Sequence, residues 1–114
     1  MVEMECLFCK FGSGQIPLDF LYESPTAFAI ADINPQAPTH ILILPKIHAE
    51  NAAELAELAP STLSELFTVA KELAASGGLT GYRLVFNTGE SAGQSVFHAH
   101  LHLLGGRPLA WPPG

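Results

Sequence analysis

The chain is short of positive charge. Its 114 residues hold five Lys and Arg against eleven Asp and Glu, a formal net charge of −6. The two arginines and three lysines stand singly, so there is no basic stripe of the kind a nucleic-acid surface needs. A long polyphosphate would find little attraction here. A single phosphate could still be held by local backbone N–H groups and histidines. No apolar run approaches the ~20 residues of a membrane span. No basic start followed by an apolar stretch and a small-residue cleavage site is visible either. A soluble cytoplasmic protein that engages neither membrane nor nucleic acid is expected. Cysteine is scarce too, with Cys6 and Cys9 alone. Such a pair cannot staple a fold as several bridges do, and in a reducing compartment its spacing reads as a metal clip or a redox pair. Internal repeats, low-complexity tracts and linkers are absent, so one domain spanning 1–114 is expected.

What is present can build a core, since 48% of the residues are hydrophobic. Met1 to Lys10 starts loose and turns apolar at Leu7 and Phe8. Phe11 to Gln15 has the composition of a turn. Ile16–Tyr22 alternates and suits a strand, with Thr26–Ala31 as its hairpin partner. Pro35 and Pro38 exclude helix and internal strand between them. His40–Leu44 is a continuous apolar run, the mark of a strand buried on both faces. Ala49–Leu58 predicts a short helix. Pro60 opens a longer one with an apolar stripe of Leu63, Leu66, Phe67, Ala70, Leu73 and Ala74, stopped by Gly77-Gly78. Gly81–Asn87 and Val96–Leu104 predict two more strands, joined by a loop rich in Gly and Ser. Residues 105–114, with their prolines, read as an extended arm. Strands grouped on either side of a helical block predict an α+β fold with an antiparallel sheet.

Three of the five histidines fall in His98-Ala99-His100-Leu101-His102. In a strand they share one face, roughly 6.6 Å apart, while Ala99, Leu101 and Leu103 face a core. Such a row can bind metal, or one imidazole can act as nucleophile with its neighbours handling protons. Gly89, Gly93, Ser91 and Ser95 just before it let backbone N–H groups converge on an anion, although the loop alone could be an ordinary hairpin connection. An anion cradle beside a histidine row suits attack on phosphorus, with developing charge held by the loop. His40 becomes a fourth imidazole if its strand neighbours the row, and otherwise is a core histidine. Asn87, at the strand end, could orient phosphate or serve only the turn. Cys6 and Cys9 need two further ligands, for which His48 and His98 are candidates. Asp32 could bind ribose hydroxyls or cap its loop. Trp111, between prolines, suits contact with a partner.

His98-Ala99-His100-Leu101-His102-Leu103-Leu104 resembles the histidine-triad signature, in which histidines alternate with apolar residues and two apolar residues follow. Asp32–His40, Pro45-Lys46, Gly93–Phe97, Gly105–Pro108 and Trp111–Gly114 also resemble the nucleotide-binding Hint branch of that superfamily. The resemblance implies a five-stranded antiparallel sheet with one long and one or two short helices, dimerising into a continuous sheet. It implies hydrolysis of purine nucleoside phosphoramidates, with purine nucleoside monophosphate derivatives as ligands and no cofactor needed for catalysis. By the motif, His100 is the nucleophile, His102 contacts phosphate, and His98 and His40 form a proton and hydrogen-bond relay. Asn87, Gly93, Gln94 and Ser95 line the phosphate site, with Ser95 near the leaving group. Asp32 binds ribose; Ile33, Leu7 and Phe8 sandwich the base; Trp111 reaches the partner subunit's site. Ile30 stands where relatives often carry an aromatic residue. Cys6, Cys9 and His48 together resemble zinc-binding members, with His98 as fourth ligand of a structural zinc. The rival readings are a nucleotide-binding interaction protein with incidental hydrolysis, and a metal-dependent hydrolase using the histidine row as ligands.

Overall fold

Local chemistry sets where each element starts and stops. The computed structural model describes residues 6–114, so the loose start expected at positions 1–5 lies outside the described residues. A short helix, α1 (Leu7–Gly12), comes first, where the sequence suggested only an apolar stretch and a turn. Cys6 caps it: its Sγ accepts the Cys9 N–H at 3.3 Å, in the place a hydroxyl or carboxylate usually takes. Six residues are too few for a helical stripe to register.

The strand expected over Ile16–Tyr22 contracts to β1 (Tyr22–Glu23). Pro17 has no N–H for a ladder, and Phe20 packs on Phe28 with ring centroids 5.3 Å apart. β2 (Ala27–Ala31) and β3 (Thr39–Pro45) follow as expected. α2 (Ala52–Leu58) is capped by the Asn51 side chain, which accepts the Glu54 N–H at 2.9 Å. α3 (Pro60–Ser76) begins on its proline and ends at Gly77. β4 (Tyr82–Val85) and β5 (Leu101–Gly105) complete an antiparallel sheet of five strands in the order β1-β2-β3-β5-β4. This is the expected α+β architecture. No helix among the described residues is long and apolar enough to cross a membrane.

The pleat divides the sheet into two faces. Ala27, Ala29, Ile43, Leu101 and Leu103 pack against Leu66, Val69, Ala70 and Ala74 of α3. The buried stripe of α3 is rotated from the expected one. Thr62 and Val69 are inside, while Phe67 is 43% exposed and rests its edge against Phe86. On the opposite face Phe28, Ile30, Leu42 and Leu44 pack with Phe8, Phe11 and Val96. α1 comes very close to the sheet there, because a Cβ on Gly12 would lie 2.9 Å from Phe28. His40 and His102 belong to this second face, since Leu42 pairs with His102 and His40 with Leu104.

One polar clamp ties the β1–β2 hairpin to α3. Tyr22 Oη, Ser24 Oγ and Thr26 Oγ1 all donate to the Glu65 carboxylate. Burial pushes that carboxyl up, but the three hydroxyl donors outweigh it and hold it below its ordinary 4.5. A lowered carboxyl pKa stabilises the fold above pH 4.5 and loses that effect as pH falls through the folded value. Glu65→Gln is therefore expected to cost about 1 kcal/mol at neutral pH, given partial solvent screening. The difference from the parent should shrink in acid unfolding titrations; a deficit that stays constant down to pH 3 would contradict this assignment.

Candidate active site

α1, β2, β3, β5 and the loop before β5 enclose a cavity of about 390 Å³ on the second face. Leu7, Phe8, Phe11, Leu18, Ile30, Ile33 and Leu42 form its apolar wall; Asp32, Ser95, His100 and His102 form its polar end. Ile33 is 99% exposed at the rim. A flat apolar group bearing a polar, anionic extension fits this division.

The histidine row is not one strand, contrary to expectation. β5 begins at Leu101, so only His102 lies in it, while His98 and His100 occupy the bent segment before. The β3–β5 ladder ends at Ile43 and Leu101. Two residues on in β3, Pro45 has no N–H to offer, and its carbonyl is bonded to His98 Nε2 at 2.8 Å. The row therefore splits. His98 is completely buried with its ring beside His48, whereas His100 and His102 line the cavity with centroids 5.0 Å apart.

Backbone groups determine which nitrogen of each ring carries the proton. The Gln36 N–H donates to His40 Nδ1 at 3.0 Å, so the His40 proton sits on Nε2. That Nε2–H donates to His102 Nδ1 at 2.9 Å, with Asp32 Oδ2 also within 3.3 Å. The His102 proton is thereby placed on Nε2, which is buried without a partner among the described residues. A buried donor left unpaired is costly, and an oxygen of a bound anion would satisfy it. His100 Nδ1 donates to the His98 carbonyl at 2.7 Å, which leaves the lone pair on Nε2. Phe8 packs edge-on to the His100 ring at 5.1 Å and fixes its plane. Burial lowers the His100 pKa, against the pull of the His98 carbonyl and Asp32. Burial, with His100 and His40, pushes His102 down to about 4, while Asp32 opposes. Both rings are neutral at pH 7: one offers a lone pair, the other a proton.

Beside the cavity stands a second cluster. One ligand atom from each of Cys6, Cys9, His48 and His98 lies within 4.8 Å of the others. His98 Nδ1 is 3.4 Å from both sulfurs, and His48 Nδ1 is 3.3 Å from the Cys9 sulfur. Tetrahedral zinc with bonds of about 2.1–2.3 Å needs ligand separations of roughly 3.5 Å. Pro45 holds the His98 proton on Nε2, so Nδ1 offers its lone pair to the cluster. Burial, with His48 and His100, takes the His98 pKa down to about 4, keeping that lone pair free. These residues fit a zinc ion. Asp32, His40 and His102 also lie within 4.8 Å of one another. Gln36 occupies His40 Nδ1, however, so a metal on Nε2 would demand an imidazolate. The three triad histidines do not form a ligand cluster among the described residues, which departs from the reading of the row as a metal site.

The loop carries its donors differently from expectation. The N–H groups of Gly93 and Gln94 turn inward, to Glu90 O and Gly89 O. Among the described residues, the Ser95 and Val96 N–H groups have no partner in the chain, and both residues line the cavity.

With this geometry established, three relatives are informative. The family model for the HIT domain matches residues 13–109. The chain belongs to the HIT family. A 14 kDa zinc-binding protein of Zea mays is 48% identical over 111 residues, 95% of this chain and 87% of that one. A HIT family hydrolase from Legionella pneumophila Philadelphia 1 superposes with a TM-score of 0.91 at 47% identity, covering 96% of this chain and 100% of that one. A histidine triad nucleotide-binding protein from Candida albicans gives 0.79 at 31% identity, covering 95% and 83%.

Within this HIT fold, most of the expected site residues meet. Leu7, Phe8, Asp32, Ile33, Ser95, His100 and His102 line one cavity, and His40 supports it from behind. Several others are placed differently. The His98 ring joins the thiols and not a proton relay; its carbonyl alone serves His100. The Gln94 carboxamide points away into backbone contacts. Asn87 and Gly93 are neighbours of each other and not of the cavity. Trp111, expected at a partner subunit's site, is not one of these: it is 81% exposed, with its ring 6.0 Å from the Arg83 guanidinium. Two contributors escaped the sequence reading: the Gln36 N–H, which sets two tautomers, and Arg107, which braces the same residue by donating to Gln36 O at 3.0 Å. A backbone donor has no side-chain signature. The two prolines flanking Gln36 were its only visible sign.

Proposed function

We propose that this HIT protein is a purine nucleoside phosphoramidate hydrolase of the Hint branch, working through a nucleotidyl–His100 intermediate. The carrying observation is the pair of oppositely set imidazoles at the polar end of an apolar cavity. His100 offers a lone pair at Nε2, and His102 offers a proton at Nε2 with no partner. The base lies against Leu7, Phe8 and Ile33, and Asp32 takes the ribose hydroxyls. The phosphoryl oxygens take hydrogen bonds from His102, Ser95 and the Ser95 and Val96 N–H groups. His100 Nε2 attacks phosphorus as the P–N bond breaks, and the departing amine takes up the Ser95 Oγ proton. The positive charge left on the His100 ring is met by the His98 carbonyl. Water then attacks phosphorus and gives up a proton that restores the Ser95 hydroxyl, the His100–phosphorus bond breaks, and nucleoside monophosphate leaves.

The reading includes a homodimer, in which Trp111 reaches the partner subunit's site; the exposed edge strand β4 and exposed Trp111 support it. It also includes zinc at Cys6, Cys9, His48 and His98, which would tie α1 to the sheet and act as a brace. The direct test is incubation with adenosine 5′-phosphoramidate. AMP and ammonia should appear in equal amounts, with many turnovers per chain. Tight AMP binding without amine release would instead mark a nucleotide-binding interaction protein.

A further inference from the structure

We propose that Gln94 is a positioning residue, whose carboxamide locks the anion-binding amides of the loop to the segment that holds His100. This rests on the hydrolase reading above. Gln94 is only 3% exposed, and its side chain makes three hydrogen bonds, all to backbone. Oε1 accepts the Gly89 N–H at 2.9 Å. Nε2 donates both hydrogens, to Glu50 O at 2.7 Å and Val96 O at 3.1 Å. The carboxamide thus has no N–H left for a ligand.

Two of its three partners are themselves held. Gly89 O accepts the N–H groups of Ala92 and Gln94, so the loop closes around Gly89. Glu50 is fixed from its other side, its N–H donating to Glu54 Oε1 at 2.6 Å. The adjacent Ala49 carbonyl accepts the Ala99 N–H at 2.7 Å, one residue before His100. One short stretch, Ala49-Glu50, therefore grips both the loop, through Gln94, and the nucleophile's own segment, through Ala99. The free N–H groups of Ser95 and Val96 lie inside the span that Gln94 bridges. Their distance to His100 Nε2 is set by this carboxamide. An amide cradle works on developing charge only if it is preorganised against the attacking atom. A displacement of about 1 Å at such a point costs roughly a hundredfold in rate.

The test uses full-length protein with its metal, adenosine 5′-phosphoramidate as substrate, and AMP as binding probe. Gln94→Met keeps the length and removes the hydrogen bonds. Gln94→Asn keeps the carboxamide but withdraws it by one methylene, and stands in if the methionine variant folds poorly. In either, kcat should fall about a hundredfold, while KM, AMP affinity and metal content stay within a few-fold of the parent. Amide exchange at Gly89, whose N–H the Gln94 carboxamide holds, should quicken. Parental kcat in a folded variant would overturn the proposal. A raised KM with unchanged kcat would also overturn it, by making Gln94 a ligand contact. An inactive parent would instead sink the hydrolase reading itself, so the two failures are separable.

Discussion

His100→Ala is expected to abolish turnover of adenosine 5′-phosphoramidate, lowering kcat by on the order of 10⁴-fold or more, while AMP binding stays within a few-fold. The asymmetry follows from where the ring sits. His100 contributes one edge of the polar end, but the apolar wall, Asp32, His102 and the loop amides remain to hold a nucleotide. Uniform binding survives the substitution, and the bond-forming group does not. The deletion should also leave the tautomer chain from Gln36 through His40 to His102 intact, because His100 makes no hydrogen bond to it. His100→Ala therefore separates chemistry from binding. Turnover by the alanine variant near the parental rate would remove the covalent mechanism, whatever product forms. Rapid-quench capture of a nucleotidyl adduct in the parent, absent in the variant, is the positive counterpart.

Native protein is expected to carry about one equivalent of zinc per chain, the number of tetrahedral two-Cys, two-His sites among the described residues. Removing it by chelation, or by Cys9→Ser, should lower the melting temperature by more than about 10 °C. That figure follows from about 4 kcal/mol of linkage at a thousandfold excess over the dissociation constant, and roughly 4–8 °C per kcal/mol in a domain near this size. The brace acts where the fold is otherwise thin, for α1 is six residues long and contributes one buried side chain, Phe8. Because no step of the proposed mechanism runs through the ion, turnover should persist in metal-free protein kept below its lowered melting temperature. Elemental analysis finding no zinc in native protein would dismiss the centre. Loss of all turnover with the circular dichroism intact would favour a metal-dependent hydrolase.

The parts of this molecule legible in its sequence are those written in periodicity or punctuation. The apolar run of β3, the Pro60 start and Gly77 stop of α3, and the α+β order all carry such marks. So does the histidine spacing, which singles these rings out. It could not show that they divide between two sites, because that depends on Pro45 ending a ladder from another strand. α1 was hidden by its length, and its cap is a thiol that reads first as a metal ligand. The expected strand at Ile16–Tyr22 had the right alternation, but Pro17 breaks it. Gly93 was read as an anion contact from composition, and Gln94 from the resemblance. Composition says which groups are near a turn, and the turn's own hydrogen bonds decide which of them face outward.

α1 has a thermodynamic consequence of its own. Its residues Leu7, Phe8 and Phe11 wall the cavity proposed for nucleotide, while Cys6 and Cys9, at its cap and first turn, supply two of the four donors of the proposed zinc site. One small element is thus shared by two binding equilibria. If ordering this helix on the metal tightens nucleotide by some factor, nucleotide must tighten metal by that same factor. A cell's free zinc and its free nucleotide would then be read by a single reciprocal linkage.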